Sequence, residues 1–146
     1  MNGDVLVRIS ADLPSDAQLQ LDGMLDRHNM GRTGIRDARA LSVMAHDPGG
    51  RFLGGLHGYT WGGYCEIKTI FVAELERGKG LGSRLLDAAE AEALHRDCRQ
   101  VVLTTHGFQA PGFYERLGYH CVAAIADCPL GDSYRLMTKR LGRDCI

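Results

Sequence analysis

Arg77-Gly78-Lys79-Gly80-Leu81-Gly82-Ser83-Arg84-Leu85-Leu86 follows an apolar run of strand type and opens into a segment whose leucines and alanines have helical spacing. Without side chains, Gly78, Gly80 and Gly82 let the backbone take dihedrals closed to other residues, so several N–H groups can converge on one anion. The helix that starts here adds its unpaired donors and the positive end of its dipole. A pyrophosphate suits that arrangement. A plain glycine-rich turn joining a strand to a helix would use the same residues, so the surrounding pattern has to decide between the two.

Two common phosphate fingerprints are absent. A P-loop needs four residues between its first glycine and Gly-Lys-Ser/Thr, whereas Lys79 is followed by Gly80. The dinucleotide pattern fails at its third glycine, where Leu85 stands, and no βαβ unit with a suitable acidic residue follows. What remains is Arg77-x-x-Gly80-x-Gly82, preceded by Ile67-Lys68-Thr69-Ile70-Phe71-Val72.

Working outward, Tyr64 to Val72 reads as a long strand in which neither alternating face is purely apolar. Upstream of it, Ala40 to Ala45 and Phe52 to Tyr59 form a hairpin across His46-Asp47-Pro48-Gly49-Gly50, and Trp61-Gly62-Gly63 makes the next reversal. Val5 to Ile9 is expected as a short first strand. Pro14-Ser15-Asp16 starts a helix that reaches about Arg27, with residues 28–34 as a loop or frayed turn. Downstream, Leu81, Leu85, Leu86, Ala89 and Ala93 trace one face of a helix running to about Arg96. Arg99 to Thr104 then gives a strand whose Val101-Val102-Leu103 run suits burial on both faces. Ala110 to Leu117 is a short helix closed by Gly118, and Tyr119 to Ala126 with Tyr134 to Leu141 make a closing pair of strands. This order predicts an α+β, or mixed α/β, sandwich around one sheet.

The second informative run is Pro111-Gly112-Phe113-Tyr114-Glu115-Arg116-Leu117-Gly118-Tyr119, about thirty residues after the glycine loop. By itself it is a short helix whose Phe113 and Leu117 plug a core. Together with the glycine loop, and inside this element order, it resembles the GNAT superfamily of N-acyltransferases over residues 5 to 141, most strongly from 64 to 119. The resemblance implies a central, mixed, mostly antiparallel sheet of six to seven strands with helices on both faces. Its fourth and fifth strands, here 64–72 and 99–104, would splay apart near a bulge around the coenzyme.

The same resemblance implies site roles. Main-chain groups of Phe71 and Val72 would bind the pantetheine arm of acetyl-CoA, and an N–H near Val72 would polarise the thioester carbonyl. The amides of Gly78, Lys79, Gly80, Leu81 and Gly82, with Ser83 as an added donor, would hold the pyrophosphate. Arg77 would touch phosphate or pair with Glu74 or Glu76, and Gln109 would bond the coenzyme or cap the helix after it. Tyr114 matches the family's tyrosine facing the coenzyme sulfur. A phenol keeps its proton at neutral pH and can pass it to a thiolate, which makes Tyr114 the candidate acid. Glu66 is the candidate base, acting through water, with pairing to Lys68 as its structural alternative; His57 and His106 stand in reserve. Acetyl transfer by direct attack of a primary amine in a ternary complex is the implied reaction, because no thiol has an activating partner in sequence.

Composition sets the outer bounds. The 146 residues, 45% hydrophobic and 24% charged, suit a single domain spanning 1–146. A net charge of −1 without a basic run argues against nucleic-acid and membrane-surface binding. No stretch is long and apolar enough for a membrane span, so a cytoplasmic location is expected. Five cysteines without a Cys-x-x-Cys pair and six scattered histidines point to no metal. Acceptor choice falls to residues 22–37, 105–110 and 127–133, where Asp22, Asp26, Asp37, Asp127 and Asp132 are offset by Arg32, Arg36 and Arg39. A small-molecule amine is expected. A protein N-terminus or lysine, or a non-catalytic acyl-CoA-binding module, are the alternatives, and a homodimer through the closing strands stays open.

Overall fold

The computed structural model describes residues 3–142, so Cys145 lies outside the described residues. Contacts divide the chain into two compact units, Met1–Arg36 and Asp37–Ile146. In the first, helix α1 (Ser15–Thr33) follows Pro14 and ends where Gly34, at φ 72°, returns its N–H to the Met30 carbonyl. The helix therefore continues six residues past the expected end at Arg27. Gly31 is accommodated inside it at a cost of about 1 kcal/mol relative to alanine, and the left-handed turn that stops a helix is supplied only at Gly34. The expected strand at residues 5–9 is not formed: among the described residues no ladder partner takes up its N–H and C=O groups, and the segment has no regular structure.

The second unit holds one mixed six-stranded sheet in the order β1-β2-β3-β4-β6-β5. The strands are β1 (Arg39–His46), β2 (Phe52–Trp61), β3 (Tyr64–Val72), β4 (Gln100–His106), β5 (His120–Ala126) and β6 (Ser133–Arg140). All neighbours are antiparallel except β3 and β4. Helix α2 (Leu81–His95) crosses between that parallel pair, and α3 (Pro111–Arg116) joins β4 to β5. Gly62 and Gly63, at φ 57° and 87°, make the tight turn from β2 to β3 that needs two left-handed residues in succession.

The mixed faces of β3 have a cause. His57 on β2 pairs Thr69, but Gly58 pairs Ile67, so Lys68 is an extra residue in β3, a β-bulge. The alternation slips by one at that point. Cys65 and Ile67 before it, and Ile70 and Val72 after it, therefore point to one face, toward α2. Glycine is required opposite: a Cβ on Gly58 would overlap the Glu66 carbonyl oxygen.

Against this face α2 buries Leu85, Leu86, Ala89 and Ala93, whose small alanines let the helix lie close on Leu41, Leu56, Ile67, Val101, Leu103 and Met137. Val102, on the opposite face of β4, is only half-buried, so burial is complete on one side of that strand rather than both. Two polar anchors fix the helix. Arg96, just past its end, donates through Nη1 to the Ala40 carbonyl at 2.9 Å and to Thr60 Oγ1 at 3.1 Å. Glu90 is 8% exposed; its Oε1 lies 2.6 Å from Lys139 Nζ of β6 and its Oε2 accepts from the Tyr119 hydroxyl at 3.2 Å. Burial and the Glu90 carboxylate hold that phenol well above its ordinary range.

Candidate active site

The parallel β3–β4 ladder has only four rungs, from Tyr64–Gln100 to Ile67–Leu103. It stops at the bulge. Beyond Lys68 on β3 and Thr104 on β4 the strands carry no bonds to each other, and a cleft of about 740 Å³ lies between them, lined by Lys68 to Val72, Thr104 to His106, Phe108, Tyr114 and Tyr134. A second lobe of about 540 Å³ continues from it to the glycine loop, and Ile70, Phe71, Val72, Arg77, Gln109, Ala110 and Tyr114 line both. Ala73 N–H donates to the Leu53 carbonyl at 2.8 Å. Because successive residues of a strand direct their amide groups to opposite edges, those of Phe71 also face β2, while those of Ile70 and Val72 face the cleft. Phe71 contributes its half-exposed ring instead.

At the far end of the second lobe, Gly78 and Gly80 take φ 77° and 82° with open space where a Cβ would stand. Gly82 differs from its expected part. It is not in the left-handed region; a Cβ there would come within 3.0 Å of Phe113 Cζ, so glycine at 82 makes room for the ring of α3. Gly80 opens α2, no side chain caps the helix, and its first internal bond runs from Arg84 N–H to the Gly80 carbonyl at 3.1 Å. The N–H groups of Leu81, Gly82 and Ser83 precede that bond and stay available. Lys79 Nζ is 3.6 Å from Glu76, which Arg51 also meets at 3.3 Å. Arg77 pairs with neither Glu74 nor Glu76. Its Nε donates to the Val72 carbonyl at 3.1 Å and its guanidinium lies over the Phe71 ring.

The remaining expected residues separate into those at the cleft and those away from it. Tyr114 of α3 is 6% exposed and packs edge-on against Phe113 and Tyr119. Burial raises its phenol above the ordinary value, so its proton is retained at neutral pH. Gln109 caps the turn it ends, its Oε1 accepting from His106 N–H at 2.9 Å. Glu66 lines neither lobe; it stands opposite Tyr59, whose phenol is raised by burial, by its bond to the Tyr64 hydroxyl at 2.9 Å and by the Glu66 carboxylate. His57 is opposite Thr69, outside the lining, whereas His106 is part of it. Lys68, Phe108, Tyr134 and Arg116 were not singled out in the sequence, yet all line a lobe. For Lys68 the signal was present as the break in alternation along β3; for the other three, only the fold brings them in.

Among the described residues, no group of three His, Cys, Asp or Glu could hold a metal ion, and no helix is long and apolar enough to cross a membrane.

Residues 11–119 match the sequence model of the acetyltransferase (GNAT) family. Blasticidin-S acetyltransferase of Streptomyces morookaense is 40% identical over 114 residues, covering 75% of this chain and 84% of its own. The crystal structure of an acetyltransferase from Bacillus cereus superposes with a TM-score of 0.76 at 26% identity, over 92% of this chain and 98% of that one. An aminoglycoside 6'-N-acetyltransferase complexed with coenzyme A shares the fold at a TM-score of 0.65 and 18% identity, over 89% and 83% of the two chains.

Proposed function

The chain belongs to the acetyltransferase (GNAT) family, and on that premise we propose that it moves an acetyl group from acetyl-CoA to a primary amine of a small molecule by direct attack in a ternary complex. One observation carries this reading: the sheet opens at the bulge into a cleft that runs from buried Tyr114 to the uncapped start of α2. All of these features lie within Asp37–Ile146. We take the 146-residue chain to act as one domain.

The parts fit an elongated thioester with a diphosphate at one end. Amides from Gly78 to Gly82, with Ser83, converge on the diphosphate, where the dipole of α2 adds its positive end. Arg77 and Arg116 bring positive charge to the same lobe. Main-chain groups of Ile70 and Val72 supply the strand edge along which the pantetheine arm lies, and the Val72 N–H is placed to polarise the thioester carbonyl. Gln109 holds the wall of the cleft by closing the turn before α3. Tyr114, the one phenol common to both lobes, gives its proton to the departing thiolate.

The acceptor class rests on the relatives. One at 40% identity is named for blasticidin S, a small molecule. Coenzyme A release measured across blasticidin S, aminoglycosides, polyamines and peptides, alongside calorimetric titration with acetyl-CoA, tests the reading. Release with a small amine supports it. Tight binding without release from any amine would make the chain a sensing module, release with peptides alone would move the acceptor to proteins, and no binding would remove the cradle.

A further inference from the structure

We infer that His106 is the base that takes the proton from the acceptor's ammonium group, an assignment that rests on the transferase reading above. Val102 pairs Glu66 across the ladder, and strand alternation places Val102, Thr104 and His106 on the same face of the sheet, away from α2. His106 is the last residue of β4 and stands opposite Tyr134 on β6. It lines the open cleft together with Lys68, Thr69 and Tyr114. Among the described residues no carboxylate lines this lobe, whereas Lys68 and Arg77 do. Two cations facing one space favour the neutral form of an amine that enters it.

The ring's tautomer follows from one contact. His106 Nδ1 lies 3.0 Å from the Cys128 carbonyl oxygen, which can only accept. Nδ1 therefore carries the hydrogen, and in the neutral imidazole the lone pair is on Nε2. Orientation is fixed as well. The ring stacks on Phe108 at 5.2 Å and 4°, meets Tyr134 at 5.2 Å and 58°, and the residue's own N–H is held by Gln109. A carbonyl behind one nitrogen and two aromatic walls aim the other nitrogen, as a second shell does for a working imidazole. Glu66, the carboxylate suggested by resemblance, has no place in either lining and faces Tyr59 instead.

The proton ledger closes. An ammonium of the form R–NH3+ gives one proton to His106 Nε2, which becomes imidazolium and later passes it to solvent. The freed amine lone pair attacks the thioester carbonyl carbon, the C–N bond forms and the C–S bond breaks. Tyr114 protonates the leaving thiolate, and the second proton lost from nitrogen restores Tyr114. The products are the amide, the free thiol and one proton in solution. No oxidant or further reactant is needed.

His106→Asn tests this, because the Asn amide can still donate to the Cys128 carbonyl but has no basic nitrogen. With acetyl-CoA and blasticidin S, or whichever amine the screen shows to be acetylated, kcat/KM falls by about 10²–10⁴-fold, while calorimetric affinity for acetyl-CoA stays within about threefold. The pH profile separates a base from a mere wall. Wild-type kcat/KM rises with pH and levels off once the imidazole is neutral; the variant keeps rising toward the pKa of the amine, and added imidazole restores part of the rate. The other titratable groups lining this space are Lys68, Arg77, Tyr114 and Tyr134; the Asp132 carboxylate lies outside the lining, against Gly107, the residue after His106. A His106→Asn enzyme within twofold of wild type with the same acid limb overturns the assignment, as does a Glu66→Gln enzyme that alone loses that limb. Nitrogen-15 NMR of the labelled wild-type histidines gives a readout that needs no variant: an Nδ1–H tautomer for His106 is expected, and an Nε2–H tautomer refutes it. Failure of wild type to bind acetyl-CoA would instead sink the transferase reading itself.

Discussion

Removing the Lys139 charge should unsettle the helix that carries the phosphate cradle. Lys139 Nζ is 2.6 Å from Glu90 Oε1 and lies over the Tyr119 ring at 5.7 Å, so in Lys139→Met the carboxylate of Glu90 keeps only the Tyr119 hydroxyl. Breaking a fully buried ion pair on one side costs about 3–5 kcal/mol. Here the lysine side chain is 26% exposed and the glutamate side chain 11%, and water at the lysine end lowers the cost to about 2–3 kcal/mol. At about 2–4 °C per kcal/mol for a chain near this size, the melting temperature falls by about 4–12 °C. Urea unfolding at pH 7, with the slope unchanged, reads the free energy directly. The companion variant Glu90→Met/Lys139→Met/Tyr119→Phe removes all three polar groups, fills the space with apolar atoms and should return to within about 1 kcal/mol of wild type, because the penalty is an uncompensated charge and not a lost volume. A Lys139→Met loss below about 0.5 kcal/mol, or a triple variant no better than the single one, would show that Glu90 is solvated in solution and refute the reasoning.

Tyr114→Phe should keep its fold and its affinity for acetyl-CoA while kcat drops by about 10²–10⁴-fold; full turnover at every pH would take the acid role from Tyr114. Gly80→Ala puts a Cβ on a residue at φ 82°, which costs about 1–2 kcal/mol, and as the loop relaxes the dissociation constant for acetyl-CoA, read by calorimetry, should rise by about tenfold or more, a change of about 1.4 kcal/mol. An unchanged constant would mean the amides there do not grip the ligand. Cys121 and Cys128 are exposed, whereas burial pushes the Cys65 thiol up to about 11 and raises that of Cys98. Iodoacetamide at pH 8 should therefore label the first pair and spare the second, as peptide mapping would show. Since the Cys65 thiol titrates near 9.0 when free of the fold and about 11 within it, its stabilising effect is complete below pH 9 and fades toward pH 11. The unfolding midpoint should drop over that window, less so in Cys65→Ala.

Most of the sheet was legible from residues 40 to 141 because local signals agreed with tertiary need. Helix α2 announced itself through Leu85, Leu86, Ala89 and Ala93, and these are the apolar residues it buries. The failures have particular physical causes. Val5–Ile9 has strand composition but no ladder, and strand formation depends on a neighbour that composition does not name. The end of α1 was placed early because Gly31 reads as a breaker, while the residue with left-handed backbone is Gly34. At the site, the glycine pattern and the Phe113-Tyr114 pair were visible as motifs. The reason for Gly82 was not, since it depends on a ring 31 positions away. Likewise the bond from His106 to Cys128 spans 22 positions that include α3 and β5, and the choice between Glu66 and His106 turns on which residue faces the opening beyond Lys68.

A sheet joined at its middle by four rungs is two half-sheets on a short hinge, β1 to β3 on one side and β4, β6 and β5 on the other. Helix α2 lies chiefly against β1, β2 and β3, and it shares its core with Val101, Leu103 and Met137 of the far half, to which Glu90 and Lys139 also tie it. A thioester wedged beyond the hinge would add the missing crosslinks from Ile70 and Val72, and amide exchange at those two residues should slow when it binds. Nucleotide grip at one end and acyl alignment at the other would then be a single closing motion, so that a ligand lacking its diphosphate would be held loosely at its reactive end as well.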